Sequence, residues 1–122
     1  MSKYRVLFCD DEEIIRESTK AYLELEDNYE VSLAENGRQA LDFVKSENFD
    51  IIIMDIKLGG TIDGVNAIRE IKKLKPGQKI IVLTGYESID TDEEASKLGV
   101  CAYVVKPVGR EKFLPRRGYE KN

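Results

Sequence analysis

Four stretches of this 122-residue chain are apolar at consecutive positions, and each stops at a residue that can do chemistry. "VLFC" runs into Asp10-Asp11, "IIIM" into Asp55, "IIVL" into Thr84 and "AYVV" into Lys106. None alternates apolar with polar residues, as a strand with one wet face does. Strands that are apolar on both sides are buried on both faces. The arrangement that buries them is a parallel sheet with helices above and below.

Between these runs the apolar period changes to that of a helix. Residues 12–26 place Ile14, Ser18, Ala21, Tyr22 and Leu25 on one face, and residues 38–46 face inward through Ala40, Leu41 and Val44. Ala67, Ile68 and Ile71 mark a third helix, which "KPG" ends, and Asp92 to Leu98 reads as a short acidic fourth helix stopped by Gly99. The expected strands are Lys3–Cys9, Glu30–Ala34, Asp50–Met54, Lys79–Leu83 and Cys101–Val105, the second being more polar and nearer an edge. Repeated strand-helix order implies right-handed crossovers and an α/β, doubly wound five-stranded parallel sheet with helices on both faces. The length allows one domain, large enough for its own core. In the last segment Pro115 and Gly118 interrupt the pattern. An interior proline costs a helix roughly 3 kcal/mol, so the last helix is expected to be short or broken. Residues 1–109 then form the domain, and 110–122 a frayed tail or the start of a linker.

Composition narrows the chemistry. There is no histidine, which removes His-ligated zinc and Ser-His-Asp catalysis. A formal charge of −4 disfavours direct binding to nucleic acid or an anionic membrane. No run is long enough to span a membrane and the start lacks a signal-peptide layout, so the expected location is cytoplasmic. Cys9 and Cys101 fall in expected strands and read as buried small apolar residues.

Ligand sites in open parallel sheets lie at the carboxyl ends of the strands. Asp10, Asp11, Asp55, Thr84 and Lys106 all fall there. Three neighbouring carboxylates repel one another and call for a cation. With oxygen donors only, Mg2+ fits best. Thr84 and Lys106 add a donor and a fixed positive charge, the equipment for stabilising a phosphoryl group. Asp55, alone and central, is the candidate nucleophile.

With "FCDDEE", "IIIMDI", "VLTGY" and "YVVKP" in this order and at these intervals, the chain resembles the receiver (CheY-like) domain of bacterial two-component response regulators over about residues 3–109. The resemblance implies a flavodoxin-like fold with strand order 2-1-3-4-5. It implies that Asp55 accepts a phosphoryl group from a sensor histidine kinase or phosphotransfer protein. Asp11, Asp55 and the backbone carbonyl of Lys57 would ligate Mg2+, with Asp10 acting through a water. Thr84 and Lys106 would bind the phosphoryl oxygens, Lys106-Pro107 would be a cis peptide, and Tyr103 would be the aromatic that moves with the threonine. Such a domain catalyses only its own phosphorylation and dephosphorylation.

The chain departs from the pattern in "KLGGTIDG", where Gly59 replaces the family's usual proline and the loop is one residue longer. Lys57 and Tyr86 flank the route of attacking water in the family, and we expect their bulk to lengthen the life of an acyl phosphate. An unfinished last helix favours a piece of a longer regulator; it removes half of the surface that many relatives use to dimerise or to dock an output domain, and it would leave a face of the fifth expected strand open to a second copy. Two other readings use the same residues: a Mg2+-dependent aspartyl-phosphate phosphohydrolase, and a receiver-like binding module that takes no phosphate. The first needs an Asp-x-Asp after its first strand, which "CDDEE" lacks, together with a larger body.

Overall fold

The computed structural model describes residues 3–26, 28–55, 64–84 and 102–105, the last four and Thr84 by backbone alone. The strands are β1 (Tyr4–Cys9), β2 (Tyr29–Ala34), β3 (Ile51–Asp55), β4 (Ile80–Thr84) and β5 (Ala102–Val105). The helices are α1 (Glu13–Glu24), α2 (Gly37–Ser46) and α3 (Gly64–Leu74). All neighbouring strands pair in parallel, in the order β2-β1-β3-β4-β5. This is the doubly wound sheet expected from the apolar runs, with the more polar β2 at an edge. The expected helix over Asp92–Leu98 and the final segment lie outside the described residues.

Strand alternation divides the core in two. Leu7, Cys9, Ile52, Met54, Ile80 and Val82 point to one face, where Ala40, Leu41 and Val44 of α2 and Ala67, Ile68 and Ile71 of α3 cover them. Val6, Phe8, Ile53, Ile81 and Leu83 point to the other, where Leu23 of α1 packs, with Ile15 alongside. Burying a side chain of this size stabilises by about 1.5–3 kcal/mol, so continuous apolar runs are needed to fill both layers. Asn36 starts α2 by accepting the Gln39 N–H at 2.9 Å, while the Gln39 amide oxygen accepts the Glu35 N–H at 2.8 Å.

α1 sits differently from its apolar pattern. The face with Ile14, Tyr22 and Leu25 is in solvent, these residues being 76%, 51% and 69% exposed. The row Ile15–Thr19–Leu23 faces the sheet instead. The adjacent row, Arg16–Lys20–Glu24, explains the rotation, because it satisfies backbone groups that the sheet leaves open. Arg16 Nη1 donates to the Asp10 carbonyl at 2.9 Å. Lys20 Nζ donates to the Val31 carbonyl at 2.8 Å, and Glu24 accepts the Val31 N–H at 3.0 Å. Asn28 and Ala34 bond β1, so strand alternation turns Val31 toward the free edge of β2. Unpaired edge groups invite pairing with another strand, and the two side chains cover them.

Candidate functional site

β1 carries its ladder one residue past its end, where the Asp10 N–H donates to the Ala34 carbonyl at 3.1 Å. The chain then turns. Asp10 Oδ1 accepts the Glu12 N–H at 2.9 Å, a local side-chain turn of the kind aspartate favours. Asp10 therefore does help start α1, although the helix's own N-cap, Glu12, makes no side-chain cap bond. The turn leaves Asp10 fully buried and Asp11 exposed.

β3 lies beside β1, with Met54 opposite Cys9, so the next residue, Asp55, arrives at the same edge. It is 4% exposed. One carboxylate oxygen each from Asp10, Asp11 and Asp55 lies within 4.8 Å of the others. β4 adds Thr84 one residue beyond Leu83, the register partner of Asp55. Val105 pairs with Thr84, and Tyr103 with Val82, on the β5 side. The backbone thus brings Asp10, Asp11, Asp55 and Thr84 to one edge. The side chains of Thr84 and Tyr103, and all of Lys57, Tyr86, Lys106 and Pro107, lie outside the described residues.

The donor set fits a hard divalent cation. All three groups are carboxylates, and two are buried, where their mutual repulsion is least screened. Cys9, a soft group beside the cluster, does not compete for a metal. Cys9 is buried, and its Sγ contacts the Asn36 carbonyl at 3.4 Å. Burial, followed by the negative charges of Asp55 and Asp10, pushes its thiol far up, so it stays protonated. Mg2+, Mn2+ or Ca2+ suits such a site, and soft metals do not.

Arg16 belongs to this neighbourhood and was not among the residues singled out from sequence. Its side chain is 13% exposed, and Nη2 lies 4.0 Å from Glu35 Oε2. The available signal was an arginine six residues after Asp10, the one basic residue among the acids Glu12, Glu13 and Glu17.

A doubly wound parallel sheet with carboxylates at the ends of its first and third strands defines an α/β protein whose carboxyl edge suits a hard cation beside one central aspartate. Residues 6–116 match the family model of the response regulator receiver domain, and the chain belongs to that family. It is 39% identical over 85 residues to the transcriptional regulatory protein ZraR of Klebsiella oxytoca, covering 70% of this chain and 19% of that protein. It is 35% identical over 112 residues to the transcriptional regulatory protein ComA of Bacillus subtilis, covering 89% of this chain and 52% of that one. The chain thus spans about half or less of these curated relatives. Among solved structures it resembles a CheY-like receiver domain protein from Methanospirillum hungatei, with TM-score 0.85, 35% identity, and 91% and 87% of the two chains covered. It also resembles a Burkholderia pseudomallei response regulator solved with a phosphorylated aspartic acid, calcium ion and citrate, with TM-score 0.82, 34% identity, and 90% and 64% covered. The fold is the flavodoxin-like one of these receivers. Among the described residues, no helix is long and apolar enough to cross a membrane.

Proposed function

We propose that the chain is the phosphoacceptor module of a two-component relay, with Asp55 the residue that takes the phosphoryl group. The observation that carries this is the buried carboxylate of Asp55 at the end of β3, within 4.8 Å of those of Asp10 and Asp11. The phosphorylated aspartic acid and calcium ion of the Burkholderia relative support it.

In this reading a carboxylate oxygen of Asp55 attacks phosphorus, the nitrogen–phosphorus bond of a phosphohistidine breaks, and the imidazole leaves with a proton from water. Asp11, Asp55 and the backbone carbonyl of Lys57 would hold Mg2+, with Asp10 acting through a water. When bound, the ion neutralises charge on the phosphoryl oxygens and on the three carboxylates. Thr84 and Lys106 would bind the phosphoryl oxygens, a cis Lys106-Pro107 peptide would aim the lysine, and Tyr103 would move with the threonine. Lys57 and Tyr86 slow attack by water. The chain catalyses only its own phosphorylation and dephosphorylation, within the cytoplasm, as a domain over residues 1–109 with 110–122 as tail or linker.

The phosphodonor is a sensor histidine kinase or a phosphotransfer protein. The solvent-facing stripe of Ile14, Tyr22 and Leu25 on α1, starting three residues after Asp11, is a surface on which such a donor can rest. The transcriptional regulators among the relatives support an output domain on the other side of the relay. The test is intact mass after incubation with acetyl phosphate. One phosphoryl group is expected in Mg2+ and none in EDTA. A folded protein that gains none in either, and that binds no beryllofluoride, is a binding module instead.

A further inference from the structure

We propose that Arg16 is a positioning residue for the acid cluster, holding the peptide between Asp10 and Asp11 so that both carboxylates face the ion they share with Asp55. The inference rests on reading the cluster as a cation site. Its own observation is that Arg16 Nη1 donates to the Asp10 carbonyl at 2.9 Å from a mostly buried side chain. That carbonyl belongs to the Asp10–Asp11 peptide, and a peptide is planar. Fixing its oxygen fixes the rotation of the whole plane, and with it the direction in which Asp11 leaves.

Among the described residues, two further bonds act on Asp10. Its N–H is tied to Ala34 and its Oδ1 to the Glu12 N–H. Asp11 is exposed, so its placement depends on the backbone that carries it. Arg16 reaches that backbone from the row of α1 beside the one that faces the sheet, and passes within 4.0 Å of Glu35, just after β2. It thereby braces the first turn against two loops of the carboxyl edge. A planar guanidinium can span two acceptors, whereas a lysine ammonium at this position offers a single compact charge.

Groups that orient metal ligands without touching the metal typically change affinity by about 10–100-fold. Arg16 also carries a positive charge beside the site, and loss of charge alone would tighten cation binding. The two roles therefore predict opposite signs. The probe is Mn2+, with the free ion counted by its paramagnetic resonance signal, in the full chain and in its R16M and R16K variants. Positioning predicts binding about 10–100-fold weaker in R16M, with R16K between R16M and the parent. It also predicts that the rise in unfolding temperature on adding Mn2+ shrinks in the same order, which a loss of packing alone would not produce. Unchanged or tighter Mn2+ binding in R16M overturns the proposal. Should R16M fail to fold, a folded R16K with the parent's affinity overturns it equally. A parent chain that binds no Mn2+ refutes the cation site itself, a result distinct from an indifferent Arg16.

Discussion

Replacing Asp55 with asparagine should make the metal-free protein more stable. In the folded chain three carboxylate oxygens lie within 4.8 Å of one another, and unfolding lets them separate. Two unit charges at that distance repel by about 1 kcal/mol at the dielectric of water and about 3.5 kcal/mol at an effective value near 20. Asp55→Asn keeps the shape and removes two of the three repulsive pairs. Other contacts of Asp55 and the neighbouring Arg16 charge offset part of this. The net gain expected is about 1–3 kcal/mol, a rise of roughly 4–12 °C in unfolding temperature for a domain of this size. The assay is thermal unfolding followed by circular dichroism at pH 7, in EDTA and in saturating Mg2+. The gap between variant and parent should narrow in Mg2+, because a cation stabilises the parent by binding the folded state and the variant has lost one ligand. A variant less stable than the parent in EDTA would refute the reasoning. So would a gain that Mg2+ leaves untouched, since it would not come from the cluster's repulsion.

Ile14→Ser should slow phosphoryl transfer from a histidine-phosphorylated protein donor by about tenfold, about 1.4 kcal/mol of lost contact, and leave phosphorylation by acetyl phosphate unchanged. Equal rates with both donors would remove α1 from the docking surface. Glu24 gives a pH-dependent prediction. Burial raises its pKa, but the Val31 N–H, the hydrogen bond and charge of Lys20, and Lys3 together bring it below its ordinary 4.5. A depressed acid contributes stability above its unfolded pKa and loses it as pH falls through the folded value. Glu24→Gln should therefore cost about 0.5–1 kcal/mol at pH 7 and almost nothing at pH 3, read by urea unfolding; an equal cost at both would show that the charge is irrelevant. Ile53→Ala, at a fully buried position of β3, should cost about 2–5 kcal/mol, and a loss below 1 kcal/mol would mean that the α1 layer repacks freely.

The sheet was legible because its strands are apolar on both faces, and "IIIMD" has no competing helical reading of adequate length. The acid cluster was legible because strand ends of a parallel sheet meet at one edge. Which aspartate would be buried was not legible: it depends on the Asp10–Glu12 turn, which hides Asp10 and leaves Asp11 exposed. The orientation of α1 was not legible, for a physical reason. Periodicity counts apolar residues, and it ranked Ile14, Tyr22 and Leu25 as the packing face. The helix is instead set by Leu23 on the sheet and by a polar row whose members bond backbone at the edge. Arg16 escaped notice for the same reason, since its partner is a carbonyl, which has no signature in sequence.

The central claim is that one particular aspartate carries the phosphoryl group. After phosphorylation in Mg2+, borohydride reduces an aspartyl phosphate to homoserine, and tandem mass spectrometry of the digested protein locates it. The account predicts homoserine at residue 55, with Asp10 and Asp11 intact. Homoserine at Asp10 or Asp11 with Asp55 unmodified would contradict it.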